Sequence, residues 1–236
     1  MEDLTKSDEI EFTDEVFSFP PVRIAVVAHK ENDWFQESVA SFANLNYLDK
    51  QLTVLTTGQM EWVEPIVSQY FPDAEILEVD PEAGLGANFN AVLSNHDEPA
   101  FYLFCHHDVA LAPDALRLMV EESYRSNAAV VGPKVVNWER PNELLDVGNV
   151  MNSLAVAVQR VEAGEIDQEQ FDSVEQVFAV SNTTFLVRAD LFRALGGFDE
   201  EMGMFGEDLD FCWRAQIAGG KIMLVPGAIA RHRDES

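Results

Sequence analysis

From Val22 onward, short runs of β-branched and other apolar residues alternate with longer stretches whose apolar positions recur at helical spacing. The short runs suit strands buried on both faces, and the alternation predicts βαβ units on a largely parallel sheet. VRIAVVAH (22–29), QLTVLTT (51–57), AEILEVD (74–80) and FYLFC (101–105) are the predicted strands. Between them lie helical patterns in WFQESVASFANL (34–45), in MEWVEPIVSQYF (60–71) and after the glycines of AGLGANFNAVL (83–93). Pro65 argues against the middle of the second helix. APDALRLMVEESYRS (112–126) follows as a helix with Pro113 and Asp114 in its first turn, where both residue types are favoured.

The second half changes character. AAVVGPKVV (128–136) and LLDVGNVM (144–151) each read as a strand, VEAGEIDQEQFDSVEQ (161–176) is polar and irregular, and VFAVSNTTFLVR (177–188) reads as one long strand. A short helix, a glycine turn, an acidic helix start at GEDLDFCWR (206–214) and a strand ending in His232 complete the pattern. No repeat, low-complexity tract or linker divides the chain. The expectation is an acidic arm over 1–20 and a single domain over 21–236, with a nucleotide-type half at about 21–110 and a mixed half at 111–236.

Composition narrows the function classes. With 42 acidic against 15 basic residues the formal net charge is −27, which repels phosphate backbones and anionic lipid, so nucleic acid is not an expected partner. Two cysteines are too few for a secreted disulfide framework and predict a reduced, cytoplasmic chain. No run approaches the roughly 18 apolar residues of a membrane span. The polar tail after His232 is also compatible with the catalytic piece of a longer, membrane-attached protein at the inner face of the plasma membrane.

In open α/β sheets, ligands collect beyond the carboxyl ends of the strands. That edge would carry Ala28 and His29, then Thr56, Thr57 and Gly58, then Asp80, and last His106, His107 and Asp108. Gly84 and Gly86 would let the backbone of a helix start near Ala87 approach a ligand, although the spacing is neither GxGxxG nor a P-loop. In GEDLDFCWR, a helix from Gly206 puts Asp208 on the face of Phe211, Cys212 and Ala215, and spaces Asp210 and Arg214 as an i,i+4 pair. A capped surface helix and a working carboxylate both fit that pattern. Taken singly, His29, His96 and His232 read as ordinary core or surface histidines, and Cys105 and Cys212 as small buried hydrophobes.

Together, the strand-terminal HHD, LVRADLFRALGGFDEEM, GEDLDFCWRAQIAGGKI and the closing strand ending in His resemble the family two glycosyltransferases of the GT-A fold, over roughly 22–232. The likeness is strongest to an actinobacterial branch with HDD at the strand end. The shared segments are GPK (132–134), an LLDVG strand (144–148) and an E-x-D-Q-x-Q loop (165–170). The resemblance implies a mostly parallel central sheet flanked by helices with a mixed second half, the first half binding a nucleotide sugar and the second the acceptor.

By that resemblance His106, His107 and Asp108 stand at the D-x-D position, with Asp108 holding a divalent metal, Mn2+ or Mg2+, completed by His232 and optionally His106. The general base falls on Asp208, with Glu207 as the alternative. Ala28, His29, Glu31, Thr56, Gly84, Gly86, Asn90, His106, His107 and Arg214 are placed on the donor side, and Asp210 and Trp213 on the acceptor side; a plain intrahelical Asp210–Arg214 pair stays equally open. The implied activity is inverting transfer of a hexosyl or pentosyl group from a nucleotide-diphosphate sugar to a saccharide or lipid-linked acceptor, in cell-envelope polysaccharide or glycolipid synthesis. Two positions depart from the pattern: Thr56 replaces a base-reading Asp, and His107 replaces an Asp of the HDD. They define the alternative, a GT-A-like module without catalysis.

Overall fold

The structure, a computed structural model, describes residues 19–29, 31–58, 60–94, 98–154, 156–203 and 206–233. All of the expected acidic arm except Phe19 and Pro20, and also His96, lie outside the described residues. Three parallel strands, β1 (Val22–Ala28), β2 (Lys50–Thr56) and β3 (Glu75–Glu78), alternate with α1 (Asp33–Ala43) and α2 (Met60–Tyr70). Asn32 caps α1, its side chain accepting from the Phe35 amide at 2.9 Å. Pro65 does stand inside α2, where it removes one bond, to the Glu61 carbonyl; burial of Val63 and Val67 keeps the helix in place.

α3 (Leu85–Phe89) and a 3₁₀ turn (Asn90–Ser94) lead into β4 (Phe101–His106), which runs parallel to β1. A short strand not expected from the sequence, β5 (Val109–Leu111), precedes α4 (Ala115–Ser126) and β6 (Ala128–Asn137). The stretch 144–151 is two strands, β7 (Leu144–Asp146) and β8 (Asn149–Met151), the latter paired with β9 (Ala157–Gln159). Gly148 breaks it: its φ is +80°, and its N–H donates to Asp146 Oδ1 at 2.8 Å in a side-chain turn.

After β10 (Glu175–Gln176), the long strand expected over 177–188 forms only as β11 (Thr184–Arg188), because residues 181–183 turn toward the acidic helix described below. α5 (Ala189–Ala194), α6 (Glu207–Ile217) and β12 (Lys221–His232) close the chain. The main sheet has the order β10-β12-β6-β11-β4-β1-β2-β3, with β5 on β12 and β7 on β6. β11 is antiparallel to both β4 and β6, which makes the second half mixed.

Alternate residues of β1 face two separate cores. Ile24 and Val26 pack with α1, α2 and α4; Ala25 and Val27 pack with α3, α5 and α6. The second core is an aromatic cluster in which Phe198 lies 5.2–6.1 Å, ring to ring, from Phe89, Phe104, Phe185, Phe192 and Phe211. No helix among the described residues is long and apolar enough to cross a membrane.

Candidate active site

Strand register gathers the first group of residues. β1 pairs in parallel with β2 and β4, opposing Ala28 to Thr56 and Val27 to His106, so the carboxyl ends of these strands share one edge. His232 reaches the same edge from the other end of the chain. β12 runs antiparallel to β5 and opposes His232 to Val109, next in sequence to Asp108. His232 Nε2 lies 3.3 Å from Asp108 Oδ1, and ligand atoms of His106, Asp108 and His232 all fall within 4.8 Å of one another.

The electrostatics of these three residues suit a metal ion. Burial pushes His106 down to about 4, helped by the neighbouring His232, so its imidazole is neutral with a free lone pair. Its Nε2 is buried without a hydrogen-bond partner among the described residues. Burial opposes ionisation of Asp108, but the hydrogen bond and charge of His232, with His107 and His106, hold it at about 2. A neutral imidazole and an ionised carboxylate are the forms in which these groups ligate, and two nitrogens with one oxygen fit Mn2+ better than Mg2+. The His107 ring centroid lies 6.1 Å from that of His29, and His107 is not one of the three residues whose ligand atoms converge, although its charge acts on Asp108.

The acidic helix start supplies the second group. Gly206 leads into α6, and Glu207 and Asp208 in its first turn meet the 181–183 turn. Asn182 binds both: its N–H donates to Asp208 Oδ2 at 3.1 Å and its side-chain amide to Glu207 Oε1 at 2.8 Å. Asp208 Oδ1 accepts from the Leu209 amide at 2.8 Å. Burial raises both carboxyls above their ordinary range. Glu207 is only 1% exposed, with Oε2 lacking a partner among the described residues, whereas Asp208 is partly open.

A cavity of about 630 Å³ is lined by His106, Asp108 and His232, and also by Asp146, Asn182 and the 162–164 segment. Asp146 and Asn182 carry no role in the sequence reading. Asp146 sits in LLDVG and is 8% exposed. Asn182 lies in SNTT, a polar interruption of an apolar run that was the available signal.

Several expected site residues are engaged elsewhere. The Asn90 side chain donates to the Phe198 carbonyl and accepts from the Phe198 amide, at 2.9 and 2.8 Å. A Cβ on Gly84 would run into the Gly203 carbonyl, and one on Gly86 would lie 2.9 Å from Phe198 Cβ, so these glycines permit a close approach of Gly203, Phe198 and Glu207. Arg214 pairs with Asp210 at 2.7 Å and donates to the carbonyls of Leu195 and Gly197 at 3.2 and 2.9 Å. Trp213 is 53% exposed on α6, and Glu31 is exposed after β1.

Comparison with known proteins bears on this arrangement. Two curated relatives, pre-mycofactocin glycosyltransferases of Mycobacterium tuberculosis strains CDC 1551 / Oshkosh and ATCC 25618 / H37Rv, are each 40% identical over 53 residues, 22% of this chain and 11% of theirs. The crystal structure of GalNAc-T7 with UDP, GalNAc and Mn2+ superposes with a TM-score of 0.72 at 12% identity, over 91% of this chain and 43% of that one. S. aureus TarS gives 0.65 at 16%, over 89% and 36%. The chain thus spans less than half the length of each of these proteins, and the structural likenesses identify its fold as GT-A. The model described as glycosyltransferase like family 2 matches residues 20–236, taking in both the histidine–aspartate cluster and the acidic helix, and the chain belongs to that family.

Proposed function

We propose that the chain transfers a sugar from a nucleotide-diphosphate sugar to an acceptor hydroxyl with inversion at the anomeric carbon, in the synthesis of cell-envelope polysaccharide or glycolipid. The observation that carries this reading is the convergence of His106, Asp108 and His232 at the carboxyl edge of the parallel strands. A divalent ion bound by these residues would stabilise the negative charge that builds on the departing diphosphate. GalNAc-T7 was solved with UDP and Mn2+, which makes a uridine nucleotide with Mn2+ the first pair to test.

Asp208 is the base in this reading. As the acceptor oxygen bonds to the anomeric carbon, its proton passes to Asp208, and the bond to the diphosphate breaks with its electron pair leaving on the phosphate oxygen. A single displacement of this kind inverts the centre. The two backbone amides on Asp208 fix its orientation and leave lone pairs for the proton. Its raised pKa makes it a stronger base than an exposed aspartate, and a positioned base is worth about 10²–10⁴-fold. Glu207, buried against Asn182, is the less accessible alternative.

A thermal-shift panel of nucleoside diphosphates, with and without Mn2+, tests the reading. Metal-dependent stabilisation by one nucleotide supports it. No stabilisation under any condition points instead to a GT-A-like module without catalysis, the reading that Thr56 and His107 keep open.

A further inference from the structure

The cavity beside the histidine–aspartate cluster has a wall whose chemistry is one-sided. Four carboxylates line it, Asp108, Glu143, Asp146 and Glu162, and no Lys or Arg does among the described residues. Glu143 is spent on Arg140, at 2.8 and 3.1 Å. Arg160, the cation nearest to Asp146 in effect, is committed to Glu175 at 2.6 Å and to the Val147 carbonyl at 3.2 Å. Asp146 is different. It is more than nine-tenths buried and lines the cavity, yet among the described residues only Oδ1 is hydrogen-bonded, to the Gly148 amide at 2.8 Å. Its other oxygen opens onto the cavity with no donor on it among the described residues, which leaves an acceptor free for a ligand hydroxyl.

The wall is also fixed in place. Leu144 donates to the Glu165 carbonyl and Asp167 to the Asn142 carbonyl, both at 2.8 Å. Buried Lys134 on β6 ties the same loop down through Asp167 at 2.8 Å and Asp172. Across the sheet, Asp146 opposes Val135, which in turn opposes Ala230, two residues before His232. At about 4.8 Å per strand, this sets Asp146 roughly 10 Å across the sheet from β12, a separation that one saccharide ring and its hydroxyls can span. Asp208 is close enough for its charge to act on Asp146.

We propose that Asp146 and the wall around it form the acceptor subsite, which takes a neutral saccharide by accepting hydrogen bonds from its hydroxyls and rejects anionic acceptors. The proposal rests on the transferase reading and adds the acceptor's chemical class. A sugar hydroxyl supplies the donor that Asp146 lacks. A carboxylate or phosphate group beside Asp146 would meet Asp146 and Glu162 with no Lys or Arg of the lining to offset them, and such juxtaposition disfavours a partner.

The test uses the full chain with Mn2+ and a panel of p-nitrophenyl glycosides, neutral hexosides set beside the matching hexuronides. Binding is read by saturation-transfer NMR, and release of nucleoside diphosphate from sugar nucleotides is read with and without glycoside. At least one neutral hexoside should bind and accelerate release, and its hexuronide should do neither. In Asp146→Leu the hexoside KM should rise at least tenfold, and Asp146→Asn, which keeps an acceptor oxygen, should fall between. Preference for hexuronides, an unchanged KM in Asp146→Leu, or no glycoside binding to the wild-type chain would overturn the proposal. Failure of the transferase reading looks different: no sugar nucleotide is hydrolysed at all, while hexoside binding that Asp146→Leu abolishes would still be visible by NMR.

Discussion

Arg214 donates to the carbonyl of Gly197 at 2.9 Å, joining the end of α6 to the turn that precedes Phe198. Asp210, one helical turn earlier, fixes the guanidinium from behind at 2.7 Å, and the Leu195 carbonyl takes a second bond at 3.2 Å. The spaced residues that look most like a catalytic signature, GGFDE followed by ED-x-D-x-x-x-R, largely form a single mechanical joint. Phe198 anchors it in the aromatic cluster, and Asn90 clasps the Phe198 backbone.

Arg214→Lys keeps the charge but not the planar fork that reaches two carbonyls and a carboxylate together. We expect a loss of about 1–2 kcal/mol in urea unfolding with an unchanged m-value. Gly197→Ala should cost more, because φ is +79° and the added Cβ would overlap Asn90 Oδ1.

Asp208→Asn should lower sugar transfer by about 10²–10⁴-fold while nucleotide binding stays intact. Glu207→Gln keeps the oxygen that Asn182 binds and should retain activity within severalfold. The reverse outcome in steady-state assays would move the base to Glu207.

Asp108→Ala and His232→Ala should each abolish Mn2+-dependent stabilisation by the nucleotide, as should EDTA on the unmodified chain. His107→Ala should leave the Mn2+ dependence in place, because His107 is not one of the three residues whose ligand atoms converge. Calorimetric titration of Mn2+ in the presence of nucleotide distinguishes the variants.

Burial lifts the Asp146 carboxyl from 3.8 to about 6, with the Gly148 amide opposing, the Asp208 charge adding and Arg160 opposing. Between those values the native state holds a proton that the unfolded state has released, so stability falls as pH rises from about 4 to about 6. Roughly two pK units correspond to about 3 kcal/mol. Asp146→Asn should therefore be more stable than wild type at pH 7.5 by up to about 3 kcal/mol, with the gain vanishing near pH 4. Urea titrations at both pH values test the sign.

Lys134→Met removes a side chain that is only 4% exposed and bonded to two acids. Asp167 and Asp172, at 23% and 48%, can turn to water, so the cost should be about 1–3 kcal/mol and not the larger penalty of stranding a buried charge. Amide exchange over 161–176 should accelerate more than in β1 or β4.

The βα order of the first half was legible because β1, β2 and β4 are buried along most of their length and α1 and α2 each carry one apolar stripe, signals that belong to the local sequence. The splits at Gly148 and at 181–183 were not, since tertiary partners make them: Asn182 turns because Asp208 and Glu207 accept its two amides. The meeting of Asp108 with His232 was expected from family likeness. Its physical cause, the antiparallel β5–β12 pair, was invisible in a run as short as VAL. Gly84 and Gly86 lie against Gly203 and Phe198, and in sequence a close approach to the chain's own backbone leaves the same mark as a close approach to a ligand.

The clamp between Lys134 and the 161–176 loop also bears on engineering. GPK and E-x-D-Q-x-Q lie far apart in sequence but form one electrostatic unit, so a loop exchanged to redirect acceptor choice has to travel with the residue at 134. A graft that leaves Lys134 behind buries an ammonium with nothing to neutralise it, and such a chimera would fail in folding before its specificity could be measured.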